Sequence, residues 1–529
     1  MSTLYSVIKE TTTNNKNKVV VTLPVHNNNQ LHGIDISYQQ LFNDSKFIAN
    51  KLQSTVNVGD VVSIVLANGY SILSIFLGVT FNKCIAAPLN STYTNEEFKY
   101  YFKDMNAKLV LIQSDLTAAL DAAKELGIKI WEIKENHFAD TGKYSVSVDT
   151  DTMDGSYEGE ISVLPVSSDN ALFLHTSGTT SKPKGVPLTH GNLAQSCLNI
   201  KETLHLTPAD KSLVVMPLFH VHGLIGVCLS SFKGGASLVI PIKFSASVFW
   251  NQIREFKVTW YSAVPTIHSI LTSVQASSSN VYSNKGLLRF IRSSSSSLSP
   301  TLLDSLEDYF GCPVIEAYGM TEASHQMASN PLPKDGPRIP GSVGKGVNVK
   351  IAILNESGDI LKTGEIGDIG IQGPNVMLGY LNNPQANIDN FIVDTVNKET
   401  WFLTGDIGFL DPDNYLTLKG RKKELINRGG EKISPLEVDN ALLENDQISE
   451  AVCFGVPDQK YGEEVWAAII PKEAYQKTLT PQQITEFLQK KLVAFKIPKK
   501  IILTDNFPKT TTGKIQRRFI SEFFYNQHK

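Results

Sequence analysis

Cysteine is scarce and scattered in this chain. The five cysteines, Cys84, Cys197, Cys228, Cys312 and Cys453, form no CxxC pair and no metal-like spacing. That argues against a thiol-bound metal centre and fits buried, reduced thiols in a reducing compartment. Net charge is nearly absent as well: 49 Lys and Arg face 52 Asp and Glu, a formal −3. No bulk positive field exists to hold nucleic acid or an acidic membrane surface, so any basic site must be local. A Ser-His-Asp arrangement and a His pair at helical spacing are both missing, against hydrolase or zinc chemistry. No uninterrupted apolar run suits a membrane span. The one uncharged stretch of that length, residues 61–82, is broken by Asn68-Gly69-Tyr70-Ser71. Residues 61–66 read as a buried strand and 72–79 as a helix, a βα unit. The N-terminal 18 residues lack the apolar core of a secretory signal, and Gln527-His528-Lys529 is not a Ser-Lys-Leu type peroxisomal signal. A cytoplasmic protein is expected.

What the chain does have is size: 529 residues, 42% hydrophobic and 19% charged, enough for several domains around large cores. Strand candidates at 109–112 and 237–241 alternate with helical stretches at 249–256 and 300–310, the pattern of parallel sheets with helices on both faces. From 341 to 418, short alternating strands with Gly, Asn and Asp turns suggest a small barrel or distorted sheet. After Arg421 a compact α+β segment follows, with strands expected at 451–454 and 465–470 and an amphipathic helix at 481–492. This places a domain boundary near Gly420. Short homopolymer runs at 27–29, 277–279, 293–297 and 510–512 read as loop tips.

The strongest local signal is Leu174-His175-Thr176-Ser177-Gly178-Thr179-Thr180-Ser181-Lys182-Pro183-Lys184-Gly185. A strand at 171–174 feeds a loop whose backbone N–H groups, hydroxyls and ammoniums can surround a polyphosphate. It is not a Walker loop, because the GxxxxGK[ST] spacing is absent. A plain flexible turn is the competing reading.

At this loop the sequence resembles the adenylate-forming superfamily of acyl-CoA synthetases, 4-coumarate ligases, luciferases and peptide-synthetase adenylation domains. The resemblance recurs in order along nearly the whole chain. Pro217-Leu218-Phe219-His220-Val221-His222-Gly223 is similar to the family's FHxxG segment, and Glu316-Ala317-Tyr318-Gly319-Met320-Thr321-Glu322 to its YGxTE segment. Thr404-Gly405-Asp406 resembles TGD, Gly420-Arg421-Lys422-Lys423-Glu424 the interdomain hinge, and residues 508–515 the PKTxxGKI loop. The implied fold is α/β, with a large N-terminal domain of two doubly wound αβα subdomains plus a small distorted β-barrel (residues 1–420). A smaller mobile α+β C-terminal domain (residues 421–529) carries the catalytic lysine.

The resemblance implies ATP, Mg²⁺ and coenzyme A as cofactors and substrates. Tyr318 can stack on adenine, Asp406 can accept both ribose hydroxyls, and Arg421 adds a fixed charge. Thr321 faces the α-phosphate and Glu322 offers a hard oxygen to Mg²⁺. Thr176, Ser177, Gly178, Thr179, Thr180, Lys184, Ser295, Glu316, Ala317 and Gly319 complete the expected nucleotide set, and His220 joins the catalytic group. Lys514 is the expected main catalytic residue, an ammonium bridging acyl carboxylate and α-phosphate while pyrophosphate leaves. Rotation about Lys423 would then bring Arg428, Gly429, Gly430 and Lys432 to coenzyme A. Asn427 stands where many ligases carry Lys, and Ser181 where Gly is common.

The acid pocket is expected around His222, Ser295, Ser296, Ala317 and His325. Two imidazoles and several hydroxyls suit a small polar acid, since an alkyl chain would leave each poorly paired at roughly 1–3 kcal/mol per group. The segments at 219–224, 263–268, 321–325 and 424–435 resemble the oxalate-CoA ligase branch. Oxalate is the expected acid, its distal carboxylate held by His222, Ser295 and His325 with at least one imidazole protonated. A medium-chain fatty or aromatic acid-CoA ligase, a carrier-protein-loading enzyme and a nucleotide-binding regulator are the alternatives. Expected partners are the small acid, ATP and CoA, with no nucleic acid and no membrane span.

Overall fold

The computed structural model describes residues 2–27, 30–138, 143–176, 183–275, 285–508 and 516–528. Residues 61–65 show why the first sheet forms. Val61–Val65 is buried at all five positions, the pattern of a central strand covered on both faces. It pairs in parallel with Ile85–Pro88 and Leu109–Gln113. The eight-stranded sheet continues outward to Lys184–Thr189 at one edge and Asp151–Met153 at the other. Tyr70–Phe81, buried along its whole length, returns the chain between Val61–Val65 and Ile85–Pro88, as the βα reading required. Among the described residues no helix is long and apolar enough to cross a membrane.

A second sheet of nine strands has Val314–Met320, Phe290–Ser293, Trp260–Ala263, Lys211–Leu213, Ser237–Val239 and Val19–Asn27 in parallel, with antiparallel strands at both edges. Helices Ala246–Glu255 and Pro300–Phe310 pack on it through Phe249, Ile253, Leu303, Leu306 and Phe310. Pro at the first position and Gly311 in the left-handed region bound Pro300–Phe310.

The region from 345 onward is the short-stranded one. Lys350–Leu354, Gly367–Gln372, Thr400–Leu410 and Phe391–Val393 form a sheet to which Leu416–Arg421 adds. The last sheet draws all its strands from residues 426–503 and packs on its own core, including Ile426, Val438, Leu442, Val465, Ile484 and Leu488.

Two elements depart from the sequence reading. Leu4–Asn15 is a helix closed by a Thr3 capping box, with Leu4, Tyr5, Val7, Ile8, Thr11 and Thr12 buried; its Thr and Asn content had concealed it. The helix expected over 481–492 ends at Leu488. The runs at 277–279 and 510–512 lie outside the described residues, as do Asn28 and Asn29.

Candidate active site

A cavity of about 1210 Å³ opens between the nine-stranded sheet and the C-terminal sheet. The strand Val314–Met320 supplies one wall: Glu316, Ala317, Tyr318 and Gly319 line the cavity, as do Ser295 and Ser296 from the loop after Phe290–Ser293. Asp406 and Arg421 line it from the short-stranded sheet, while Asn440, Val452 and Arg517 face it from the C-terminal side.

Tyr318, Asp406 and Arg421 come together although 103 positions separate the first from the last (421 − 318). The Tyr318 hydroxyl donates to Asp406 Oδ2, and Arg421 Nε lies 3.4 Å from Asp406 Oδ1. Such a group offers an aromatic face, a carboxylate and a fixed cation to one ligand. Glu316 is buried, and burial pushes its carboxyl up to about 8.

The turn after this strand is a single 3₁₀ segment, Thr321–Ala323. Glu322 points inward and is buried, accepting a hydrogen bond of 2.8 Å from the Tyr380 hydroxyl. Burial raises its pKa, and Tyr380 and Lys184 work against that rise. Lys184 lies over the Tyr380 ring at 4.6 Å. Burial and the neighbouring Lys423 charge lower its pKa, while Glu322 opposes them. Lys184, Glu322, Tyr380 and Lys423 thus share one electrostatic neighbourhood. Among the described residues no group of three or more His, Cys, Asp or Glu could hold a metal ion. Glu322 is a single buried carboxylate beside Lys184, and Mg²⁺ is an ion that keeps waters and takes phosphate oxygens beside one or two carboxylates.

Behind Ser295, Ala317 and Gly319 lies a second, fully enclosed layer. His222 and His325 are 0% and 1% exposed, and their rings stack with centroids 5.0 Å apart. His222 opens a π-helical turn, His222–Leu229, a local geometry common at functional sites. Ser295, Ser324 and His325 all have positive φ, backbone strain gathered at one place. Two glycines make room for His325: a Cβ on Gly226 would meet its ring at 2.6 Å, and one on Gly319 its carbonyl oxygen at 1.9 Å.

From the sheet strand Phe290–Ser293, Arg292 reaches the imidazoles; it is 0% exposed, and the sequence reading did not single it out. Its Nη1 donates to His325 Nε2 at 2.9 Å and to Ser262 Oγ at 3.3 Å, and its Nη2 to Gln326 Oε1 at 3.0 Å. A guanidinium can only donate, so His325 Nε2 carries no proton. Burial first, then the Arg292 charge, holds both imidazoles well below the ordinary histidine pKa. The charge deep in the pocket is therefore a guanidinium beside neutral imidazoles, where an imidazolium had been expected. A charged residue in the otherwise apolar run Phe290-Ile291-Arg292 was the one available signal.

Other candidates fall elsewhere. Thr176 ends the strand Asn170–Thr176 and is half-buried; His220 is half-buried and accepts from the His222 backbone N–H at 3.3 Å. Arg428 pairs with Glu464 through two hydrogen bonds and stacks 4.1 Å over Tyr461. Gly429 and Gly430, with φ of +61° and +99°, turn the hairpin between Ile426–Arg428 and Glu431–Ile433, and Lys432 is exposed on it. None of Thr176, His220, Arg428, Gly429, Gly430 and Lys432 lines the cavity. Ser177, Gly178, Thr179, Thr180 and Lys514 lie outside the described residues.

Comparison with known proteins gives the site its context. The model of the AMP-binding enzyme family matches residues 8–381, and that of the AMP-binding enzyme C-terminal domain matches residues 437–514. The chain is 48% identical over 481 residues to an oxalate-CoA ligase of Arabidopsis thaliana, covering 90% of this chain and 91% of that one. It is 45% identical over 487 residues to an oxalate-CoA ligase of Saccharomyces cerevisiae, with 88% and 87% covered. Among solved structures, ATP-bound MatB from Rhodopseudomonas palustris superposes with a TM-score of 0.87 at 27% identity, over 100% of this chain and 99% of that one. With these matches spanning both the cavity walls and the C-terminal sheet, the chain belongs to the AMP-binding enzyme family and is an AMP-forming acid-CoA ligase.

Proposed function

We propose that the acid is oxalate and that the enzyme converts oxalate, ATP and CoA to oxalyl-CoA, AMP and pyrophosphate through an oxalyl-adenylate. The observation that carries this reading is the cavity floor at Ser295 and Gly319 with the enclosed layer behind it, stacked His222 and His325 and then Arg292. An alkyl or aryl tail would offer no acceptor to the Ser295 hydroxyl or to the His325 Nδ1 proton beside Gly319, at roughly 1–3 kcal/mol each, whereas a carboxylate can accept from them. The oxalate-CoA ligases of similar sequence support the same choice.

In the first half-reaction an oxalate oxygen attacks the α-phosphorus and pyrophosphate departs with the broken P–O bond. Two anions must be brought together, so the work is charge compensation and positioning. Tyr318 is assigned to adenine, Asp406 and Arg421 to ribose and phosphate, Thr321 to the α-phosphate, and Lys184 to the polyphosphate. Glu322, oriented by Tyr380, would hold Mg²⁺ together with phosphate oxygens; when bound, the ion neutralises polyphosphate charge. Lys514 bridges the attacking carboxylate and the α-phosphate. In the second half-reaction the CoA thiol attacks the mixed anhydride and AMP leaves. We assign residues 1–420 and 421–529 to two units that pivot at Lys423, which moves the Arg428–Lys432 hairpin toward the acyl group. The pairing of Arg428 with Glu464 makes Lys432 the freer of its two cations for a CoA phosphate. The cysteines are all buried and unpaired, which supports a cytoplasmic setting.

Pyrophosphate release with a panel of oxalate, malonate, octanoate and coumarate tests the substrate. Oxalate should give the highest kcat/KM; turnover of octanoate with none of oxalate would reject the assignment.

A further inference from the structure

The buried guanidinium does more than add charge. Among the described residues no carboxylate pairs with Arg292; burial alone pushes its pKa down to about 9, which leaves it charged at neutral pH. Its hydrogen bonds also impose a direction on everything in front of it. Ser262 Oγ accepts from Arg292, so its own proton is free for its remaining partner, His222 Nε2, at 2.7 Å. His222 then carries its proton on Nδ1 and donates to Ser295 Oγ at 3.0 Å. The Ser295 hydroxyl, satisfied as an acceptor, is left to donate into the cavity that it lines. On the second branch, Arg292 occupies His325 Nε2, which puts that proton on Nδ1. That nitrogen lies beside Gly319, 3.3 Å from where a Cβ would stand, and Gly319 is again a cavity residue.

We propose that Arg292 is a specificity-determining positioning residue: it polarises Ser262, His222, Ser295 and His325 so that the cavity floor at Ser295 and Gly319 turns donors toward the acid. Such a floor selects an acid whose second carboxylate adjoins the one being adenylated. This rests on the oxalate reading and explains it by direction as well as polarity. A carboxylate is acceptor-only, whereas a carboxamide of the same shape turns N–H groups toward donors. Neutral relays in a dry site carry the guanidinium's influence without a titratable charge at the surface of the cavity.

The test compares oxalate with oxamate, in which one carboxylate is replaced by an amide. The constant for oxalate is measured by ATP-pyrophosphate exchange and that for oxamate by competition. The wild type should prefer oxalate by at least about 100-fold. Arg292→Gln, which can accept as well as donate, should cut that preference about tenfold or more with the KM for ATP unchanged. Arg292→Lys, still donor-only, should keep an intermediate preference. Ser262→Ala severs one branch while leaving the guanidinium in place, and should lower the preference even if Arg292→Gln fails to fold. An unaltered preference in Ser262→Ala and Arg292→Gln would overturn the proposal, and so would a parallel loss for oxalate, oxamate and ATP. Failure of the wild type to use oxalate at all would instead remove the substrate reading, and the proposal with it.

Discussion

Gly226→Ala sets two physical effects against each other. Gly226 lies inside the π-helical turn, where local propensity alone would favour Ala over Gly by about 1 kcal/mol. The added Cβ, however, would stand 2.6 Å from both Cδ2 and Nε2 of His325. Ordinary van der Waals contact begins about 0.8 Å further out. The ring has little freedom to give way: it stacks on His222 at 5.0 Å, is 1% exposed, and takes a 2.9 Å hydrogen bond from Arg292 on the very nitrogen that would be struck. Overpacking of this kind costs about 1–3 kcal/mol, which outweighs the propensity gain. A hydrogen bond from a charged donor contributes about 1.5–3 kcal/mol to stability, so its loss adds to that cost, and a displaced His325 should raise the KM for oxalate about tenfold or more. Tyr318, Asp406 and Arg421 are untouched, and the KM for ATP should hold. Steady-state kinetics in each substrate and thermal unfolding read both effects. A variant more stable than wild type with unchanged oxalate KM would refute the reasoning, because it would mean that His325 is free to move.

Further outcomes follow from other contacts. Tyr380→Phe removes the hydroxyl that opposes the burial-driven rise of the Glu322 pKa, and the Mg²⁺ concentration for half-maximal rate should rise about tenfold; an unchanged requirement would detach Glu322 from the metal. Because burial and Arg292, with His220 and, for His222, His268, lower the pKa of His222 and His325, the charged imidazoles are lost already below the usual pKa of about 6.5. The KM for oxalate should therefore stay flat as pH rises through that value, and a sharp rise there would restore an imidazolium as the counter-charge. Lys514→Ala should abolish adenylation yet spare thioester formation from supplied oxalyl-adenylate; equal loss of both steps would end that division of labour.

The sequence made the contributing segments legible, since the residues assigned to the nucleotide sit in short runs whose order along the chain is itself a signal. Tyr318, Asp406 and Arg421 could be named from those runs, and the structure brings them within contact. The hydrogen bond from Tyr318 to Asp406 could not be named, because a run says nothing of distance across nearly 90 positions. Tyr380 and Arg292 escaped for a different reason: neither belongs to a run that the sequence marks, and only the partner it meets gives it a role. Gly226 was invisible because its requirement comes from a ring 99 residues away (325 − 226). The helix Leu4–Asn15 was hidden by composition, since threonines that look solvated turn out to be packed, a case of tertiary burial overriding propensity.

The central claim is that the chain's scattered cations and hydroxyls let oxalate reach the α-phosphorus of ATP. Exchange of labelled pyrophosphate into ATP, measured with Mg²⁺ and oxalate and with CoA left out, isolates that step. Label should enter ATP in the presence of oxalate far faster than with octanoate or with no acid. Background exchange with oxalate, beside clear exchange with another acid, would contradict the account.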